Sequence, residues 1–313
     1  MNFTLTTLGT ASALPTVNRY PSAHVLNVHE RLFLIDCGEG CQMQLRKQGI
    51  SFLKLSEIFI THIHGDHIFG LFGLLSTMSL LGRTADLFIY APENFSPVLE
   101  SILRLFGAQF KYKAIHKIVS GDRPEVIFET KGSEVLAFPL NHRVSCYGYL
   151  FREKRPQRNI HKFLIEKYSL TLREIARLKE GENIIRDNGD LLDSGEITYI
   201  PYTPRSFAYC SDTAPFPELK NWISGVDLLY HEATFLEDNA KTAELTFHST
   251  ASQAATLAAD AGVKKLIIGH FSSRYRDLSL YESEACSIFP ETCLATEGKI
   301  IEIPLKKYSV DEN

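Results

Sequence analysis

The chain has 313 residues, 44% of them hydrophobic, enough for one large core or two modest ones, and one compact unit with an insertion is expected. A mean hydropathy of −0.07, with no stretch of ~18 apolar residues, excludes a membrane-spanning helix. The net charge of −4 and the isoelectric point near 6.3 argue against a uniformly basic nucleic-acid binder.

The opening MNFTLTTLGT has no basic region followed by a long apolar run, so it does not read as a secretory signal and the protein is expected in the cytoplasm. The cysteines Cys37, Cys41, Cys146, Cys210, Cys286 and Cys293 are scattered without a CxxC pair and are expected as free thiols. Residues 3–8, 23–28 and 32–36 are short β-rich runs separated by Gly, Pro and polar residues, the pattern of strands joined by turns. A strand at 58–60 then leads into a histidine-rich loop. The IFGLFGLLSTMSLLGR that follows has the length and apolar density of a buried helix, with Gly82 as its stop. A strand at 87–92, a helix around 97–107 ending at Gly107, and strands near 126–129 and 135–140 continue the alternation.

The segment 150–196 interrupts it. Within 152–179 nine basic residues, among them Arg152, Lys154, Arg155 and Arg158, stand against three glutamates, a net of +6 that leaves −10 for the rest. The piece reads as helical: Thr171 with Glu174 makes a capping-box pattern and Gly181 can end the helix. A basic helical arm on an acidic body suits a phosphate backbone; the plainer alternative is a solvated hairpin whose charges only face water. Beyond it come strands at 207–212 and 227–233. A helix from Thr250 follows, with Gln253 completing its capping box and Gly262 as its stop, and then a last clear strand at 264–270.

The strongest chemical signal is His62-Ile63-His64-Gly65-Asp66-His67, four potential ligands within six positions at the end of a strand. Imidazole and carboxylate together suit zinc, with manganese or iron as competitors. One short loop cannot surround a single ion with all four groups, because tetrahedral coordination needs ligands from different directions. Two adjacent ions, each completed by distant residues, are therefore expected. His142, Asp212 and His270 lie at the ends of predicted strands and are candidates for that completion. Paired metals held by His and Asp polarise a phosphoryl group and make hydroxide near neutral pH.

Through HxHxDH the chain resembles the metallo-β-lactamase superfamily, and through several motifs together it resembles the ribonuclease Z family within it. GTASALPTVNR (9–19) is similar to that family's opening, and DCGEGCQMQLR (36–46) to its DCGEGTQ segment. FITHIHGDHIFGLFGLL, the His142 segment ending in GY, HEATF (231–235), HST (248–250) and GHFSSRY (269–275) follow in the family's order, so the resemblance runs from the N-terminus to Tyr275. It departs at Cys41, where Thr is usual, at Ser211, where Gly is usual, and in the arm, which lacks the Gly-Pro-rich tip that many members use to grip tRNA.

The resemblance implies an α/β fold, a four-layer αββα sandwich forming a single metallo-β-lactamase-fold domain over 1–313. The metal loops would lie along one edge of the paired sheets, with the basic arm at 150–196 as a tRNA-binding exosite. One zinc would take His62, His64, His142 and Asp212, and a second Asp66, His67, His270 and the shared Asp212, with Asp36 supporting the metal loop. Mn2+ or another divalent ion is the alternative to Zn2+. The catalytic residues would be Asp66, Glu232 and His248, the last two forming a general acid, and the RNA contacts Arg152, Lys154, Arg155 and Arg158. The implied activity is hydrolysis of a precursor-tRNA phosphodiester just beyond the discriminator base, leaving a 3′-hydroxyl. The implied assembly is a homodimer in which one subunit's arm holds tRNA cut by the other. The alternative is a metallo-hydrolase of small phosphodiesters or sulfate esters on the same fold, which needs no arm.

Overall fold

The computed structural model describes residues 1–307. Strands β1 (Phe3–Gly9), β2 (Ala23–Val28) and β3 (Arg31–Cys37) form an antiparallel meander. Helix α1 (Cys41–Lys47), β4 (Leu55–Phe59), α2 (Gly65–Leu80), β5 (Leu87–Pro92), α3 (Ser96–Phe106) and β6 (Ala114–Val119) follow, with β3 to β6 parallel. A second sheet opens with β7 (Glu125–Glu129), β8 (Ser133–Pro139) and β9 (Tyr147–Glu153). The chain then leaves the sheet through β10 (Asn159–Ile160), α4 (Lys162–Lys167), α5 (Leu172–Lys179), β11 (Ile184–Ile185), β12 (Leu191–Leu192), α6 (Ser194–Ile197) and β13 (Thr198–Tyr199). It returns as β14 (Ser206–Cys210), α7 (Leu219–Trp222), β15 (Leu228–Glu232), α8 (Ala240–Thr246), α9 (Ala251–Asp260), β16 (Leu266–Gly269), α10 (Ser279–Ile288) and β17 (Thr292–Leu294). Finally β18 (Ile300–Glu302) pairs with β1. The sheet orders are β18-β1-β2-β3-β4-β5-β6 and β17-β16-β15-β14-β9-β8-β7.

Period-two alternation explains the layers. In β3, Phe33 and Ile35 join the core between the sheets, while Leu34 packs with Leu71 and Leu74 of α2. In β14, Phe207 and Tyr209 point inward, and Ala208 and Cys210 belong to the cluster that holds Ala254 and Ala255 of α9. The result is helix, sheet, sheet, helix. Phe33, Phe59 and Phe151 tie the sheets together with ring centroids no more than 5.7 Å apart, each such pair contributing roughly 0.5–1.5 kcal/mol beyond its buried area. All six cysteines are free.

Ligand loops in open α/β sheets gather beyond the carboxyl ends of parallel strands, and here β3, β4, β14, β15 and β16 deliver Asp36, the His62–His67 loop, Asp212, Glu232 and His270 to one edge. Two glycines let α2 reach that edge. A Cβ on Gly70 would lie 2.1 Å from the Gly38 carbonyl oxygen, and one on Gly38 would lie 2.3 Å from that of Asp66.

The segment after β9 was expected to be helical, and α5 does carry the Thr171–Glu174 capping box. It also contains two two-stranded ribbons, β10–β13 and β11–β12, the second turning through Asn188-Gly189 with Gly189 at φ 88. Asn-Gly between apolar pairs is a strong hairpin signal that a reading of charge passes over. Leu164, Leu170, Leu178, Ile184, Leu192 and Ile197 form a small core belonging to this segment alone. Residues 150–153 continue β9, so Arg152 sits on the second sheet and pairs in register with Glu134 of β8.

Candidate metal centre

Four donors converge around one point. His64 Nδ1 lies 2.9 Å from His62 Nε2 and 3.4 Å from His142 Nε2, and Asp212 Oδ2 lies 3.6 Å and 3.9 Å from the same two Nε2 atoms. The other oxygen of Asp212, Oδ1, faces a second cluster, 3.4 Å from His67 Nε2 and 3.3 Å from His270 Nε2. Asp66 Oδ2 closes it at 3.5 Å from both. Ligands about 2.1 Å from a tetrahedral ion stand roughly 3.4 Å apart, so both clusters have the spacing of a coordination shell. The buried Nε2 atoms of His67 and His270 find no hydrogen-bond partner among the described residues, which a coordinate bond would supply. The donor set therefore fits two divalent cations bridged by Asp212.

The outward-facing ring nitrogens of His62, His67, His142 and His270 are engaged. His62 Nδ1 donates to Thr61 Oγ1 at 3.0 Å, and that hydroxyl donates to Asp36 at 3.0 Å. His67 Nδ1 donates to Asp36 Oδ2 at 2.8 Å, His270 Nδ1 to Thr234 Oγ1 at 2.9 Å, and His142 Nδ1 to the Phe247 carbonyl at 3.0 Å. Such contacts fix tautomer and ring orientation. Asp36 (φ 55) and His270 (φ 62) hold left-handed backbone, strain of the kind that persists where the surroundings over-determine a site. The Ala13 N–H donates to Asp66 Oδ2 at 2.8 Å, bringing the 10–20 loop against the centre.

Burial lowers the basicity of His62, His64 and His142, leaving neutral rings with free lone pairs. Burial opposes ionisation of Asp66 and Asp212, yet the neighbouring histidines hold both carboxyls far below their usual range. At His67 burial is outweighed by Asp66, Asp212 and Asp36, which raise it. The same anionic field draws cations.

At the rim, Glu232 Oε1 lies 2.8 Å from His248 Nδ1, while His248 Nε2 is 4.0 Å from Asp212 Oδ2. Burial opposes protonation of His248, but Glu232, with Asp212 and Asp66, raises it to about 9. His248 N-caps nothing: α9 is capped by Thr250, whose hydroxyl accepts from the Gln253 N–H.

The structure thus brings together His62, His64, Asp66, His67, His142, Asp212, Glu232, His248 and His270, but not the four basic residues. Arg152 pairs with Glu134 at 2.5 Å and Lys154 with Glu129 at 2.6 Å, Arg158 donates to Thr198, and Arg155 is exposed. Tyr147, at the start of β9, donates its N–H to Thr61 O at 3.0 Å beside the metal loop. The strand then carries Arg152 roughly 15–20 Å away at ~3.3 Å per residue. Sequence reasoning missed Thr61 and Thr234. Both stand inside the quoted motifs FITHIHGDH and HEATF, but a lone threonine announces no role as a hydrogen-bond hub.

Comparison with known proteins gives a consistent picture. A family model described as Anti-Pycsar protein Apyc1 matches residues 3–154, and one described as Beta-lactamase superfamily domain matches residues 197–271. A ribonuclease Z of Bacteroides fragilis is 44% identical over 96% of this chain and 99% of its own length. One from Cytophaga hutchinsonii is 42% identical over 95% of each. Among solved structures, the short form of human tRNase Z superposes with a TM-score of 0.69 at 25% identity, covering 96% of this chain and 99% of that one. The metallo-beta-lactamase fold protein YhfI of Bacillus subtilis, at 17% identity and a TM-score of 0.69 over 96% of this chain and all of the other, shares the fold.

Proposed function

This chain belongs to the ribonuclease Z family of metallo-β-lactamase-fold hydrolases, and from that premise we propose that it is a zinc-dependent endoribonuclease that removes the 3′ trailer from precursor tRNA. Cleavage falls just beyond the discriminator base and leaves a 3′-hydroxyl on the tRNA. His62, His64, His142 and Asp212 would hold one cation, and Asp66, His67, His270 and Asp212 the other. Two such cations supply Lewis acidity to the phosphoryl group and lower the pKa of a nucleophilic water. The protein's own residues orient that chemistry. Asp36 and Thr61 set the loop histidines, Asp66 serves both as ligand and as a catalytic carboxylate, and His248, oriented by Glu232, protonates the departing 3′ oxygen. The observation that carries this reading is the placement of His248 between Glu232 and the bridging Asp212. Incubation with 3′-extended precursor tRNA, mature tRNA and bis(p-nitrophenyl) phosphate tests it. A tRNA product ending in a 3′-hydroxyl supports it, and turnover of the small diester alone would favour a small-ester hydrolase.

The arm is proposed to contribute tRNA affinity and not chemistry. A groove of about 1030 Å³ at its base brings Lys131, Lys154 and Arg155 together with His161, Phe163 and Tyr199, a mixture of cations and rings suited to a nucleic-acid backbone. Replacing Arg152, Lys154, Arg155 and Arg158 with Ser should weaken precursor binding and flatten its salt dependence, by up to about 0.9 in log–log slope for each phosphate no longer neutralised. Hydrolysis of the small diester should hardly change, whereas equal slowing on both substrates would make the segment structural.

The working unit is proposed to be a cytoplasmic homodimer, one subunit's arm serving the other's centre. Among the described residues no helix is long and apolar enough to cross a membrane. Phe69 and Leu80 of α2 are 66% and 83% exposed, and Leu105 and Phe106 of α3 are 67% and 62% exposed, an apolar surface of the kind a second copy would cover. Sedimentation should give twice the chain mass, and Leu80→Glu should shift it toward one; a wild-type monomer overturns the assembly. Recovery in the membrane fraction of the source cell would overturn the location.

A further inference from the structure

A cavity of about 810 Å³ adjoins His248, walled among others by Asn141, Lys241, Phe247 and Gln253. Phe247 follows α8 at φ 59, ψ 48. Glycine is the usual residue in that left-handed position, because any Cβ is strained there. An aromatic residue held where glycine fits best points to a role for its ring. The backbone of the same residue is tied to the metal centre, since its carbonyl accepts from His142 Nδ1 at 3.0 Å. The cavity also offers polar groups. Gln253 has its Oε1 occupied by the Thr250 N–H at 2.9 Å, which leaves its amide protons for another acceptor. Lys241 is exposed at the mouth.

The chemistry of the cut decides which nucleoside belongs there. Hydrolysis forms a bond from the water oxygen to phosphorus and breaks the bond from phosphorus to the 3′ oxygen, which leaves with the electron pair. That oxygen takes a proton from His248, and the proton lost by the attacking water balances it; the trailer keeps the phosphate. The nucleoside carrying the 3′ oxygen is therefore the one beside His248. We propose that this cavity seats the discriminator nucleoside, the last one retained on the tRNA. Its base stacks on Phe247, and Lys241 faces the phosphate on its 5′ side, so that Phe247 sets the enzyme's dependence on that base. The inference rests on the chain being a tRNA 3′ endonuclease and on His248 being the donor of that proton.

The test is a double-mutant cycle between protein and RNA, using the full-length enzyme with its metals. Phe247→Gly removes the ring and suits the backbone angle, and Phe247→Asn, which also tolerates it, is the second variant should the first lose its fold. Each is assayed on precursor tRNA with a purine discriminator, with an abasic discriminator, and with an abasic first trailer nucleotide. Removing the ring and removing the discriminator base should each lower kcat/KM roughly tenfold to a hundredfold. Together they should lower it no further than either alone, because both abolish the same stacking interaction. The abasic trailer should add its own effect independently. Independent effects at the discriminator, or coupling to the trailer nucleotide instead, overturn the assignment. Intact precursors in the presence of wild-type enzyme would bring down the endonuclease reading, and this one with it.

Discussion

Asp212→Ala is expected to leave the protein with almost no bound metal, and the wild type to hold about two ions per chain. Its two oxygens face different clusters: Oδ1 lies 3.3 Å and 3.4 Å from His270 and His67, and Oδ2 lies 3.6 Å and 3.9 Å from His62 and His142. Removing it takes a ligand from both sites at once and leaves buried imidazoles facing one another. Asp66→Ala and His67→Ala touch one cluster only, so each should retain about one ion. All three should abolish RNA cleavage, since the Lewis acidity of a metal pair supplies several kcal/mol of transition-state stabilisation, about a thousandfold or more in rate. Metal analysis of the purified variants separates the cases without reference to activity, and thermal melting should follow the metal count, because ions that bind only the folded chain stabilise it. An Asp212→Ala protein that keeps one ion at full occupancy would contradict the bridge. An active wild type with a single ion would sink the two-metal reading altogether.

What could be read from the chain depended on how local its physics is. β3 and β14 were legible because alternate residues face different layers, and the loop from His62 to His67 because so many ligand types have no packing reason to crowd together. β6 was not expected, since it is an edge strand whose Lys117 is exposed and whose burial hardly alternates. α1, α10, β17 and β18 were likewise unread, β18 because its partner β1 lies at the other end of the chain. The clearest limit concerns charge. The window 152–179 carries +6, but Glu134 and Glu129 lie outside it and meet Arg152 and Lys154 only through the strand pairing of the second sheet. Sequence separation hides cross-strand neutralisation, and so the exposed Arg155 is a better guide to an RNA contact than the net charge of the segment.

His248→Ala should keep both metals and tRNA affinity while slowing precursor cleavage by ~10²–10⁴, the range attributable to a positioned proton donor. The argument starts from Glu232, which is fully buried and whose acceptor positions are filled. Oε1 accepts from the Thr213 and Ser249 N–H groups at 3.1 Å and 3.0 Å, and Oε2 from the Thr234 N–H and hydroxyl at 2.8 Å and 2.7 Å. A carboxylate so surrounded stays ionised, and burial's opposing effect is overcome chiefly by His248. It can only accept, so His248 Nδ1 must donate to it across 2.8 Å. A proton on the remaining nitrogen, Nε2, would face Asp212 and the two ligand clusters, the side from which the proposed mechanism has the 3′ oxygen depart. An alkoxide leaves poorly without that proton, whereas p-nitrophenolate leaves readily. The variant should therefore turn over bis(p-nitrophenyl) phosphate at close to the wild-type rate, and Glu232→Gln, which orients the ring less firmly, should lose part of the RNA activity with the same bias between substrates. The 4.0 Å from His248 Nε2 to Asp212 Oδ2 also admits a different outcome that metal analysis detects. If the variant sheds zinc, His248 is a ligand; if it slows equally on RNA and on the activated ester, its role is structural, and in either case the proton must come from elsewhere.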